Sequence, residues 1–393
     1  MGTSRVAGVD AATHERALGK VVQLARSSTD LALYWREVNE VLRRVVPHYW
    51  SPCWYTLDPA SLLITSHFND ELEEFPQEWL AGEYLGDDLH TLVEVARSSS
   101  GISTLHEATD GDPSGTLRWQ ENIKMGGDQE LIAALRTRTG EVWGALGLYR
   151  EPGSAMFDES EKAFLTAVSP HLAEGARRAL VFGEATDPDW PDGPCLLIVD
   201  ERGELESSTP GAARWLSELP DGDPARGRLP SAVQSVAVTA LRFSGESDWA
   251  DEAATARVRS RAGRWVMLHG AVLAPGGRPR ATVIVEPAHP ARIYPLLMSA
   301  HGLTDREQDV TRLVLRGRST AQIADELVVS AHTVQQHLKG IFDKTGVRSR
   351  RDLVAKVFFT HYQPRFRDNE HRVLDRLPTR GQPAYAQRPA ATG

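Results

Sequence analysis

At 393 residues, with 41% apolar side chains and a formal charge of −9, the chain is long enough for roughly two or three globular cores and is not coated for nucleic acid along its whole length. Two cysteines, Cys53 and Cys195, exclude a disulfide scaffold or a cysteine-rich zinc site and fit a reducing compartment. No run approaches ~18 uninterrupted apolar residues and the N-terminus lacks the apolar core of a signal peptide, so a cytoplasmic protein with no membrane partner is expected.

The first predicted element is an amphipathic helical segment from Thr13 to Val46. Leu18, Val21, Val22 and Leu24 begin its apolar face, and Leu31, Trp35, Val38, Val41 and Leu42 continue it. Strands follow over Cys53–Leu57 and Leu62–Ser66, joined by an Asp-Pro turn, then a helix from Asp88 to Ala96. Glu130–Arg136 and Val142–Tyr149 read as strands paired by a turn at Thr139-Gly140, and a long helix over Asp158–Phe182 closes the unit. Pro170 should kink or interrupt that helix, and Arg177 and Arg178 suit its C-terminal dipole.

This order of helix, sheet and long closing helix, with its strongest match over Ala133–Arg150 (ending Trp-Gly-Ala-Leu-Gly-Leu-Tyr-Arg), resembles a GAF domain over residues 14–183. The resemblance implies an α/β domain that encloses a small molecule or serves as a dimerisation platform. Trp54, Trp119 and Trp143 are the candidates for lining such a site, although a tryptophan in a small domain is also ordinary core. Cys53 reads as a buried inert thiol rather than a chromophore tether. Asp87, Asp88 and His90 have the chemistry to hold a metal, but a helix start with capping acids accounts for them, and no metal or cofactor is expected.

Asp187–Pro194 is an Asp/Pro-rich linker. Beyond it come a strand at Cys195–Val199, a turn at 200–203, a second strand, helices at Gly211–Leu216 and Ser231–Phe243, and strands at Ala256–Arg261, Trp265–Leu273 and Ala281–Val285. That order resembles a PAS-like α+β domain over residues 194–286. Met267 and His269 are placed to face its interior, though a lone His on a strand is as readily satisfied core or surface. Residues 287–301 read as a linker helix with Ile293, Leu296 and Leu297 inward.

Four short helices occupy residues 302–366. Thr304 with Glu307 and Ser319 with Gln322 are capping boxes, in which hydroxyl and side-chain acceptor satisfy backbone N–H groups reciprocally. They start helices over 305–316, with Val310, Leu313 and Val314 inward, and 320–327, with Ile323, Ala324 and Leu327 on one face. Gly317 ends the first. Ser330 caps a third helix to Lys344. On a wheel at ~100° per residue, Val334, Leu338, Ile341 and Phe342 share one side of it, and His332, Gln335, Gln336, Lys339 and Asp343 the other. Two helices joined this tightly make a helix-turn-helix, and amide and lysine side chains on the free face match base edges and phosphates. A small helical domain with an ordinary solvated face is the bland alternative.

The motifs Leu-Thr-x-Arg-Glu, Gly-x-Ser, Ile-Ala-x-x-Leu, Val-Ser-x-His-Thr-Val-x-x-His-Leu, Ile-Phe-x-Lys and Gly-Val-Arg-Ser-Arg together resemble the LuxR-type (GerE-like) DNA-binding domain. The GAF-like region then resembles that of GAF-containing regulators of the same class. The resemblance implies Gln335 and Lys339 as base-reading positions, with Gln336 on the same face, and Ser319, Thr320, Thr333 and Arg350 as phosphate contacts. Gln335 departs from the cation usual there, which removes one positive charge from the docking face. His337 matches a family position but sits beside the apolar side, in a structural role. A fourth helix from Ser349, carrying Leu353, Val354, Val357 and Phe358, is a dimer seam or packs on the same chain.

Charge agrees with this division. Residues 302–366 hold eleven Lys and Arg against seven Asp and Glu, a net +4, so the remainder carries −13. The tail over 378–393 has a disordered composition.

The fold expected is therefore a multidomain α+β chain: a GAF-like α/β sensor domain, a PAS-like domain and a C-terminal all-α four-helix unit. Its expected function is sequence-specific DNA binding in transcription regulation, controlled by a small-molecule signal or by dimerisation. Double-stranded DNA and a second copy of the chain are the expected partners, and RNA polymerase a candidate. The alternatives are a two-component response-regulator output or a ligand-independent dimeric DNA-binding protein. The first 120 residues lack the acidic pair, strand-end Asp and later Lys of a phosphoryl receiver. An enzyme with a DNA-binding tail finds no Walker loop, Gly-x-Ser-x-Gly or His-Glu-x-x-His in the chain, so no enzyme is expected.

Overall fold

The computed structural model describes residues 11–28, 30–71, 77–85, 90–182, 193–243, 254–273, 278–288 and 301–354, with Arg292, Ile293, Leu296 and Met298 before the last segment. Asp87, Asp88, Leu297, Val357, Phe358, the linker residues 187–192 and the tail 378–393 lie outside these residues.

The opening helical segment is two helices, α1 (Ala11–Ser27) and α2 (Leu31–Leu42), rather than one. The break has a local cause. Asp30 takes an extended backbone and its carboxylate accepts from Leu33 N–H at 2.8 Å, starting a new helix. The chain then forms β1 (Cys53–Leu57), β2 (Ile64–Phe68), α3 (Gln77–Leu85), α4 (Leu92–Arg97), β3 (Ile102–Thr104), α5 (Leu105–Ala108), α6 (Leu117–Lys124), β4 (Gln129–Arg136), β5 (Val142–Arg150) and α7 (Glu159–Phe182). Of these, α3, β3, α5 and α6 have no counterpart among the predicted elements. The helix expected from Asp88 begins at Leu92 instead, because Thr91 supplies the cap, its hydroxyl accepting from Glu94 N–H.

Pro170 lies inside α7 without ending it. The adjacent Ser169 hydroxyl donates to Ala134 C=O at 2.6 Å and accepts from Arg136 N–H at 3.1 Å, which fastens that turn of helix to β4. Nor does Arg177 need only a dipole argument, since its buried guanidinium pairs with Glu174.

The first sheet is antiparallel in the order β2-β1-β5-β4-β3. Its Trp54, Leu131, Ala133, Leu135, Leu146 and Leu148 pack with α1, α2 and α7 in one apolar core. Trp54 stacks on Trp35 there, with ring centroids 5.5 Å apart. The alternate residues of the strands face the layer that carries α3, α4 and α6.

A second antiparallel sheet comprises β6 (Cys195–Val199), β7 (Leu205–Ser208), β8 (Ala254–Arg259), β9 (Trp265–Leu273) and β10 (Arg280–Pro287), with α8 (Ala212–Glu218) and α9 (Ser231–Phe243) between its strands. Its order, β7-β6-β10-β9-β8, repeats the order of the first sheet by position. Met267 is buried, whereas His269 is half-exposed with Nε2 3.2 Å from Glu286.

The described residues of 11–182 and 195–286 belong to one compact unit, and those of 193–194 and 287–354 to another. Within the first unit α9 packs on β8 and β9 and also touches β2 and α3. Ser235 Oγ donates to Ile64 C=O at 2.8 Å, and Arg242 reaches Tyr84 C=O at 3.2 Å. The buried Asp58 carboxylate accepts from Arg257 N–H at 2.7 Å and from its guanidinium Nε and Nη2 at 2.9 and 2.5 Å. In the second unit, Ile293, Leu296 and Met298 are buried. α10 (Asp305–Leu315), α11 (Thr320–Leu327) and α12 (Ala331–Thr345) follow, and a further helical turn begins at Arg350. The chain is a multidomain α+β protein. No described helix is long and apolar enough to cross a membrane.

Candidate nucleic-acid interface and buried polar cluster

Both capping boxes form as the spacing requires. Thr304 and Glu307 exchange bonds at the start of α10, and Ser319 and Gln322 do so at α11, with Gln322 N–H to Ser319 Oγ at 3.2 Å and Ser319 N–H to Gln322 Oε1 at 2.9 Å. Ser330 accepts from Thr333 N–H at 3.0 Å to start α12, and left-handed Gly346 ends it. Val310, Leu313, Val314, Ile323, Ala324, Val334, Leu338 and Ile341 are buried, so the three helices share one core. Phe342 is only half-buried.

The opposite face of α12 is uncovered by the described residues. His332, Gln335, Gln336, Lys339 and Asp343 are exposed there. Gln335 and Lys339 are four residues apart, one above the other on one side of the helix. Three site residues meet at the Thr320 hydroxyl. Arg350 Nη2 donates to it at 3.0 Å and Gln335 Nε2 at 3.5 Å, while Arg350 Nη1 donates to Arg318 C=O at 2.9 Å. Arg350 thus ties the start of the fourth helix to α11. Thr333 is half-buried with its hydroxyl 2.9 Å from Ser330 Oγ, and Ser319 is engaged as a cap on the exposed rim. Gln336 lies 3.4 Å from His332. His337 is half-buried on the flank.

Glu307 does more than its capping box announces. It accepts from Thr304 N–H at 2.8 Å and from Lys344 Nζ at 2.6 Å, tying α10 to the end of α12. Burial raises its carboxyl, but the bonds from Lys344 and Thr304 outweigh that and leave it below the ordinary value.

A family model described as bacterial regulatory proteins, luxR family (GerE), matches residues 301–357. Residues 301–357 are a GerE domain of the luxR family. The GerE domain contains the helix-turn-helix of α11 and α12 and its exposed face. Among solved structures, the chain is similar to the VqsR LBD domain from Pseudomonas aeruginosa (21% identity, 44% of this chain and 100% of that one, TM-score 0.31). It is also similar to the phycocyanobilin-bound GAF domain from a cyanobacterial phytochrome (17% identity, 41% and 91%, TM-score 0.30). A third is Escherichia coli SdiA (12% identity, 88% and 97%, TM-score 0.30).

Far from the GerE domain in sequence, the first sheet carries a polar cluster under α3, α4 and α6. Arg118 of α6 donates to Glu130 Oε1 of β4 at 3.0 Å and to Glu83 of α3. Glu130 also accepts from Asn122 Nδ2 at 3.0 Å and from Tyr149 OH at 3.1 Å, and Glu83 from Val93 N–H at 3.1 Å. Trp79 lies flat over the guanidinium, 4.2 Å from its carbon, and stacks on Tyr55 at 5.5 Å. All of these side chains that belong to Glu83, Arg118, Asn122, Glu130, Tyr55, Trp79 and Tyr149 are buried. Burial raises the Glu83 carboxyl to about 7 despite Arg118. His90, beside the α4 cap, is driven down to about 3 by burial and then by Arg118.

The three tryptophans singled out in the sequence do not come together. Trp54 is in the core with α1, α2 and α7; Trp119 is half-buried on α6, across the sheet, with Nε1 donating to Asp128 at 2.9 Å. Trp143 is buried at a register shift of β5, outside that core. Cys53 is a free buried thiol pushed up to about 12 by burial. Among the described residues, no group of three or more His, Cys, Asp or Glu converges as a metal would require. The charges of the polar cluster lie 12 to 47 positions apart on three elements, so no spacing announces it; Glu130, a buried acidic residue beside the apolar run Leu131–Leu135, is the one local signal.

Proposed function

We propose that this protein is a sequence-specific DNA-binding transcription regulator whose GerE domain lays α12 in the major groove. Gln335 and Lys339 read base edges, with Gln336 beside them. Ser319, Thr320, Thr333 and Arg350 hold the phosphate backbone and set the register. The observation that carries this reading is the exposed Gln335–Lys339 ridge next to the joined Thr320 and Arg350 side chains. Gln335 lacks a charge but offers the bidentate amide that pairs with an adenine edge. The two-sheet unit serves as the body that receives a small-molecule signal or pairs two copies of the chain, and RNA polymerase is the further partner. The setting is the cytoplasm.

Selection of bound duplexes from a random library by the full chain, followed by anisotropy titration of the recovered site, tests the reading. Lys339→Ala should cost ~1–3 kcal/mol on the selected site and relax preference at one position. Recovery of no sequence preference, or equal binding by Lys339→Ala, defeats it.

A further inference from the structure

We propose that the cluster around Glu83 and Glu130 is a binding site for a small organic cation, an amine or amidine, seated beside Arg118 on the α3–α4–α6 side of the first sheet. The inference rests on the reading of this unit as a sensor and supplies the class of its ligand. Two buried carboxyl groups share one guanidinium, so with both ionised the cluster is one positive charge short of balance. His90 is 1% exposed, and neither ring nitrogen has a hydrogen-bond partner among the described residues; Asn122 Oδ1, also buried, has none either. His90 directly precedes the Thr91 cap of α4, the helix whose Val93 N–H donates to Glu83. Buried polar groups in native proteins are rarely left unmade. An ammonium or amidinium supplies the N–H donors that Asn122 Oδ1 and the acceptor nitrogen of a neutral His90 lack. Its charge pairs with Glu83 once that carboxyl is ionised, beside the Arg118–Glu130 pair.

The site also has a proton signature. The groups around Glu83 are Arg118 from α6, Glu130 from β4, Tyr149 from β5, Tyr55 and Cys53 from β1, Tyr84 from α3 and His90 before α4. Burial pushes the three tyrosines up, Cys53 to about 12 and His90 down to about 3, while Arg118 is held charged by the two glutamates. Glu83, raised to about 7, is the group whose shift falls near neutrality. A bound cation replaces its proton, so affinity for a cation should rise roughly an order of magnitude from about pH 6 to about pH 8.

Isothermal titration of the full chain with benzamidine and benzylamine, against their neutral counterparts benzamide and benzyl alcohol, tests this. The cations should bind, release a proton in buffers of different ionisation enthalpy, and tighten with pH; the neutral probes should not. Glu83→Gln removes the charge and keeps one acceptor oxygen, for either Val93 N–H or Arg118, and should abolish cation binding and its pH dependence. The isostere comparison and the pH series need no variant, so they decide the matter if Glu83→Gln does not fold. Equal binding of benzamide and benzamidine, or binding of neither cation at millimolar concentration, overturns the proposal. DNA affinity measured in the same samples separates the two readings: benzamidine binding with unchanged DNA affinity leaves the site standing and removes signal control of the GerE domain.

Discussion

The Glu307 carboxylate occupies the space that a side chain at Gly340 would need: a Cβ there would lie 2.7 Å from Glu307 Oε1. The glycine in the middle of α12 lets α10 reach across and bond Lys344 one turn further on. An alanine would gain ~1 kcal/mol of helix propensity but push on Oε1 and so strain the bonds that Oε2 accepts from Thr304 and Lys344. Gly340→Ala should therefore cost about 1 kcal/mol net, whereas in a Glu307→Ala background the same change should stabilise. Denaturation of the four proteins of this cycle checks the reversal of sign. The depressed Glu307 carboxyl makes its contribution complete above the ordinary carboxylate pKa and lost as pH falls through the folded value. Glu307→Gln should accordingly flatten the acid limb of stability below about pH 4.5.

Val328, in the turn between α11 and α12, sits at φ 54° and ψ 50° and is 89% exposed. A β-branched side chain in the left-handed region carries strain of ~1–2 kcal/mol and here gains no burial in return. Val328→Gly should stabilise the GerE domain by about 1 kcal/mol after the added entropy of the unfolded glycine. Hydrogen exchange of the α12 amides in the full chain measures it, and slower exchange in the variant is the expected result.

Asp58 holds Arg257 by three bonds across the two sheets. Removing one partner leaves a largely buried charge uncompensated, so Asp58→Ala should cost about 3 kcal/mol. The loss falls on the coupling between the sheets rather than within either. Urea denaturation followed by tryptophan fluorescence should change from one transition toward two, and a single sharp transition would contradict the assignment.

Gln335 stands on the exposed ridge of α12 with its amide directed at Thr320. Gln335→Lys adds a cation to the docking face. Binding to the selected duplex should strengthen at low salt, with the slope of log affinity against log salt steeper by about 0.9 if the new charge meets a phosphate. An unchanged slope would place residue 335 away from the backbone and leave it as a base reader only.

The GerE unit is legible almost whole in the order of its residues. Its signals are local: hydroxyl and acceptor three residues apart at Thr304–Glu307 and Ser319–Gln322, a 3.6-residue period in α12, and Gly317 at the end of α10. Such interactions are closed within a turn of chain, so spacing alone specifies them. The two helices α1 and α2 were legible as an apolar stripe but not as two pieces, because the Asp30 cap interrupts the backbone without interrupting the stripe. The rest depends on contacts between segments distant in the chain. Strand pairing set Trp54 into the core with Trp35 and left Trp119 on the other side of the sheet. It also gathered Glu83, Arg118 and Glu130 from three elements into one buried group. Nothing in the spacing of those charges announces their meeting, because the energy that holds buried charges together depends on distance in space and on the water excluded around them.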